Sequence, residues 1–242
     1  MYTFMRFSIY LFLIFTIFSC QKEPLNTSKD YRTLGLSAND LLTATNYPNL
    51  SIQISYMPGY APDEVMLSNL KIFISTYTHK TNINIVTQPV PPSGKSKLSL
   101  DEIVKLEKSY RTVSTDGNTI TVHILITDTD YTDEENFALS YWNTSFTLFG
   151  RNIYRHSDGA GQVSRVNLIS TLLQHEFGHL LGLVGQGTSM VQPHRDEPNG
   201  AHCINANCLM YYGIETSETI NPNIIPSLDN HCRNDLKANG GK

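Results

Sequence analysis

Apolar residues recur along this chain with two periods, two and about 3.6, and the switches between them mark out its elements. Leu50, Ile52 and Ile54 alternate with Ser51, Gln53 and Ser55, the pattern of a strand with one face in a core. Met57-Pro58-Gly59-Tyr60-Ala61-Pro62 breaks that strand, and Val65, Leu67, Leu70, Ile74 and Tyr77 then follow at helical spacing, from Asp63 to about His79. Residues 82–86 read as a second strand, and the proline-rich stretch 88–95 as a loop. Ser99 with Glu102 three residues on predicts a capping box that opens a helix to about Tyr110. Residues 119–127 form the strongest strand pattern, with shorter strands expected at 137–141 and 145–149. Val166, Ile169, Leu172, Leu173, Phe177, Leu180 and Leu181 predict one long helix over about 163–181, with Gly182 placed to end it. Strand–helix alternation, then consecutive strands, then a long helix imply an α+β fold, α/β-like in its N-terminal part. We expect a mixed twisted sheet backed by helices. A single domain over 47–242 follows, divided into an N-terminal subdomain 47–182 and a small irregular C-terminal subdomain 183–242 that ends in a helix.

The termini and composition narrow the class. Residues 1–19 have a weakly basic start and a short apolar run, 9–15, which is a processing signal rather than a membrane span. Ser19-Cys20 resembles the lipobox of bacterial lipoproteins, and Gln21-Lys22-Glu23 resembles the charged signals of surface-exposed Bacteroidota lipoproteins. That resemblance implies a lipidated Cys20 and a chain anchored at the bacterial outer membrane or cell surface. Residues 20–46, rich in Ser, Thr, Asn and Lys, read as a flexible tether. A net charge of −4 with 17% charged residues excludes a basic nucleic-acid-binding surface, so membrane contact rests on the lipid alone and the chain reads as a monomer.

Candidate chemistry centres on Gln174-His175-Glu176-Phe177-Gly178-His179. His175 and His179 stand four residues apart, on one face of the long helix, and can aim two imidazole nitrogens at one metal ion. Glu176 follows the first histidine, where a carboxylate can take a proton from water at the metal. Zinc suits such a site, since catalytic zinc uses three protein ligands and keeps a position open. His79, at a helix end, and His123, alternating with apolar residues in its strand, read as structural or exposed. His156, in the loop before the long helix, is a cleft candidate.

The segment His175-Glu176-Phe177-Gly178-His179-Leu180-Leu181-Gly182 resembles the active-site motif of metzincin zinc endopeptidases, a likeness that covers residues 163–212. The family's usual third histidine falls at Gly185, so the ligand must come from farther along, from His202 or His194. His202-Cys203 followed by Cys208-Leu209-Met210 puts His202 eight residues before the methionine, as in matrixins and in the His-Cys-x4-Cys-x-Met pattern of archaemetzincins. That spacing favours His202, with 186–201 as an inserted loop. The resemblance implies that Met210 lies in a turn under the metal and that Tyr212 approaches it to donate to a developing oxyanion. It also implies hydrolysis of protein or peptide substrates. Cys203, Cys208 and Cys232 allow two readings. One is a Cys203–Cys208 or Cys203–Cys232 disulfide with a thiol left over. The other, after archaemetzincins, is a second, structural zinc held by the three cysteines with Asp229 or His231. A chain of different class fits the same residues: a catalytically idle lipoprotein that keeps the fold to bind protein or glycan.

Overall fold

The computed structural model describes residues 28–132, 136–214 and 224–242. In chain order come α1 (Ala38–Leu42), β1 (Asn49–Tyr56), α2 (Glu64–Tyr77), β2 (Asn82–Pro89), β3 (Lys97–Leu98), α3 (Leu100–Tyr110), β4 (Thr119–Thr127), β5 (Asp130–Tyr131), β6 (Ala138–Trp142), β7 (Ser145–Phe149), α4 (Gly150–Arg155), α5 (Arg165–Leu180) and α6 (Asn230–Ala238). A five-stranded sheet runs β2-β1-β4-β7-β6. All its neighbours are parallel except β6, which returns antiparallel to β7 at the edge. β3 and β5 form a separate two-stranded parallel pair. The α+β expectation holds, with a mostly parallel sheet backed by helices.

Alternation along the strands builds two different layers. Leu50, Ile52 and Ile54 of β1, Ile120, Val122, Ile124 and Ile126 of β4, and Phe146 and Leu148 of β7 share one core with α2 and α5. The intervening residues face α3, whose Ile103 and Leu106 pack on Leu98, Leu125 and Phe149. That second layer is largely polar. Glu107 of α3 accepts from Arg111 at 2.9 Å and from Ser145 Oγ at 2.6 Å, and Arg111 also pairs with Asp30 at 3.1 Å. His123 sits there fully buried, its Nε2 3.0 Å from Ser55 Oγ, in the structural rather than the exposed of the two roles expected for it. Both faces of β4 are covered, so its polar positions meet α3 rather than water.

The capping box expected at Ser99 forms, and other helices are capped too. Asp63 accepts from Met66 N–H at 3.0 Å, Ser164 from Asn167 N–H at 3.2 Å, and Glu102 from Ser99 N–H at 2.9 Å. The tether expectation needs correction over its described part. Residues 28–46 fold onto the domain, with Leu41 and Leu42 of α1 wholly buried in the main core. Lys80 fastens this segment by donating to the carbonyls of Asp40, Thr43 and Tyr47 at 2.5 to 2.7 Å, and burial holds its pKa down to about 8. The expected signal and Cys20 lie outside the described residues. Among the described residues no helix is long and apolar enough to cross a membrane.

Candidate metal centre

Helix α5 is buried around its whole circumference from Leu168 to Leu180, which places His175 and His179 beneath the surface. The chain then reverses through Gly182 (φ 73°), whose N–H donates to His179 O at 3.0 Å, and through Gly185 (φ 75°). Between them Val184 holds φ 57°, a conformation rare for a β-branched residue, with its side chain fully buried in the core. The loop continues through a turn at Glu197–Asn199, and an Arg195–Cys203 bridge closes it. This closure returns His202 to the end of α5.

Three imidazoles meet there. Their rings lie 4.8 to 5.3 Å apart, and one nitrogen from each of His175, His179 and His202 falls within 4.8 Å of the others. Nε2 of His175 and Nε2 of His179 are 3.1 Å apart. Two nitrogens bound tetrahedrally at about 2.05 Å from zinc stand roughly 3.3 Å from each other, so the spacing fits. The tautomers fit too. His175 Nδ1 is 2.7 Å from Leu209 O, and His202 Nδ1 is 2.6 Å from Asn199 O. A carbonyl only accepts, so each Nδ1 carries the hydrogen and each Nε2 presents a lone pair. Lone pairs of His175 and His202 turned toward one point, with His179 beside them, are a donor set for a cation.

Glu176 is completely buried beside this centre, and the Ser140 hydroxyl of β6 donates to its Oε2 at 2.6 Å. Nothing in the sequence singled out Ser140; a serine within a short strand carries no signal until the strand's partner helix is known. A cleft of about 500 Å³ opens over the centre, lined among others by Leu34, Leu139, Ser140, His179 and His202. Met210, fully buried, passes beneath α5, and a β-carbon on Gly178 would collide with its sulfur. The Gly178 of the helix motif is thereby explained by close approach rather than by flexibility. Tyr212 begins a short turn, Tyr212–Ile214, half-buried with its ring 4.7 Å from that of Tyr211.

His194 stands elsewhere. Its Nε2 contacts Asp235 Oδ2 at 2.7 Å and its Nδ1 contacts Cys203 Sγ at 3.4 Å, and its ring stacks on His231 at 5.4 Å. His156 Nδ1 bonds Asn152 O at 2.9 Å at the end of α4 and its ring meets Phe137, so the cleft expectation for it fails.

A second cluster gathers Cys203, Cys208, Cys232 and Asp229, again within 4.8 Å of one another. All three cysteines are thiols, with Cys208 and Cys232 sulfurs 3.6 Å apart, which corrects the disulfide readings. Asp229, not His231, is the fourth member. Cys208 Sγ receives the N–H groups of Met210 and Asp229, each at 3.4 Å. Hydrogen bonds from the Cys203 and then the Cys232 thiols lower its pKa to about 4, while theirs rise in exchange. A sulfur held as thiolate among buried donors is chemistry suited to a soft metal ion.

No protein-family model and no curated protein matches this sequence. Among solved structures, the archaemetzincin of Methanopyrus kandleri superposes with a TM-score of 0.51 at 14% identity, over 79% of this chain and 96% of its own. Metalloproteinase-II of Bacteroides fragilis superposes with a TM-score of 0.44 at 15% identity, over 82% of this chain and 55% of its own. The first likeness shows that the fold is shared with an archaemetzincin.

Proposed function

We propose that this chain is a zinc-dependent endopeptidase of metzincin type. The observation that carries the reading is the convergence of His175, His179 and His202 beside the buried Glu176, within a cleft. His175, His179 and His202 would hold a zinc ion, which would supply Lewis acidity toward a peptide carbonyl and water. Glu176 takes the proton of the attacking water and returns it to the departing amine. The Ser140 hydroxyl fixes the carboxylate that does this, at 2.6 Å. β6 lies at the sheet edge, and its Leu139 and Ser140 border the cleft, so a substrate backbone can pair along it as an added strand. Tyr212 is assigned the oxyanion-donor role by its place two residues after Met210.

We assign a second, structural zinc to Cys203, Cys208, Cys232 and Asp229, supported by their mutual distances and the lowered Cys208 pKa. The Ser19-Cys20 pattern supports a lipid anchor at the outer membrane or cell surface. Mass spectrometry of the mature N-terminus checks it, and an unacylated terminus elsewhere removes it. The decisive experiment is cleavage of a peptide library by zinc-loaded chain, with and without chelator. Glu176→Gln should keep zinc bound and lower turnover by at least about 10²-fold. Unchanged turnover in that variant defeats the mechanism. A parent chain that binds peptides and cleaves none favours the idle binding protein.

A further inference from the structure

Ahead of β1 the chain makes a detour that the peptidase reading has not used. Residues 29–37 run along the turn between β6 and β7, and Asn143 in that turn, fully buried, grips them on several sides. Asn143 Oδ1 accepts from Arg32 N–H at 2.7 Å, its own N–H donates to Arg32 O at 3.0 Å, and its Nδ2 donates to Lys29 O and Ser37 Oγ, each at 2.7 Å. Thr144 Oγ1 donates to Asp30 O at 3.0 Å. The Asp30 carboxylate is locked in the polar layer by Thr115 N–H at 2.9 Å and by Arg111 at 3.1 Å. Farther on, Gly35 (φ 83°) lies so close to Gln186 and Gly187 that a β-carbon would overlap their backbone. Between these two fastenings stands Leu34, half-buried, lining the same cleft as His179, His202 and Leu139.

We propose that this N-terminal arm is a wall of the active site and that Leu34 is a specificity-determining residue. With Leu139, which borders the same cleft, it forms an apolar surface for an apolar substrate side chain beside the scissile bond. Packing alone does not account for Leu34, since part of its side chain is left facing an open cleft next to the converging histidines. Its backbone is held on both sides, so little freedom remains to be lost when a side chain docks against it. The inference rests on the endopeptidase reading and deepens it by naming a substrate class, peptides with an apolar residue next to the cleaved bond.

The test uses full-length zinc-loaded Glu176→Gln chain as a binding form, with fluorescein-labelled hexapeptides that are identical except for one Leu, Ala or Asp. Fluorescence anisotropy gives the affinities. The parent should prefer the Leu peptide over the Ala peptide by about tenfold or more. Leu34→Ala should remove most of that preference and leave the Ala peptide's affinity in place, and Leu34→Arg should move the preference to the Asp peptide. Zinc content and melting midpoint verify folding, and if Leu34→Arg folds poorly, Leu34→Ala decides alone. The same ranking of peptides in parent and variants overturns the role of Leu34. A Leu preference in the parent together with no cleavage by the Glu176 chain overturns the peptidase reading and leaves the arm's role standing.

Discussion

At the scale of single residues, hydrogen-bonded carbonyls decide which nitrogens face the centre. The pattern of two histidines four apart is read directly along the chain, whereas the choice of His202 came from the likeness of its distance to Met210 to that in matrixins and archaemetzincins; the structure gathers His202 with the other two. The partners Leu209 O, Asn199 O and Ser140 Oγ were not legible, since they depend on how distant segments meet. If the proposed assignment holds, His202→Ala should lower zinc bound at the histidine site, while His194→Ala should keep that zinc and loosen the proposed ion at the cysteines, whose Cys203 it supports. Zinc per chain by elemental analysis after mild chelation checks both, and loss of the histidine-site ion in His194→Ala would reverse the assignment. His123 makes a claim about pH. Burial, and then the nearby Arg111 charge, hold its pKa down to about 3, while Glu107, 4.0 Å away, is engaged by Arg111 and Ser145. An imidazole in the unfolded chain titrates near about 6.5. Between these values the unfolded chain takes a proton that the folded one refuses, so stability rises with pH across the window. It is fully present above about pH 6.5 and lost as pH falls toward about 3, by at most about 1.4 kcal/mol per pH unit. His123→Asn should flatten that slope, measured as denaturant midpoints from pH 7 to pH 4; parallel curves for the two proteins would refute it.

At the scale of elements, glycine and alanine at position 178 set two effects against each other. Alanine in a helix interior ordinarily gains up to about 1 kcal/mol over glycine. Here the added carbon meets Met210 under a buried helix, and overpacking costs about 1–3 kcal/mol. We expect Gly178→Ala to destabilise the chain and weaken zinc retention, and a raised melting temperature with zinc retained would count against the close approach. The sequence disclosed long, regular elements well: 119–127 agrees at both ends, and the helix expected over about 163–181 runs from Arg165 to Leu180. It disclosed short ones poorly. The five residues of α1 carry little periodicity, and the Leu41-Leu42 pair was outvoted by the polar composition around it. What holds α1 in place is Lys80, some forty residues away. β3 and β5, two residues each, exist because they pair with one another, and that pairing leaves no local mark. For His123 the sequence left a structural and an exposed role open, because alternation reports two faces of a strand but not whether a helix covers the second.

At the scale of the whole molecule, the arm that precedes β1 and the last residues of the chain both close onto the middle. Arg32 bonds Asn143 across 111 positions of sequence, and Asn39 bonds the carbonyl of Asn239 across 200, at 3.0 Å. Such contacts carry the full entropy of closing long loops before they return anything. The arm is made well before its seat on the β6–β7 turn, which follows more than a hundred residues later, and before its neighbour at Gln186, which follows later still. The cleft wall that contains Leu34 therefore cannot be complete before Gln186 has been made. A chain made only as far as β7 has no finished cleft, so whatever chemistry the cleft supports waits on the segment that carries Gln186.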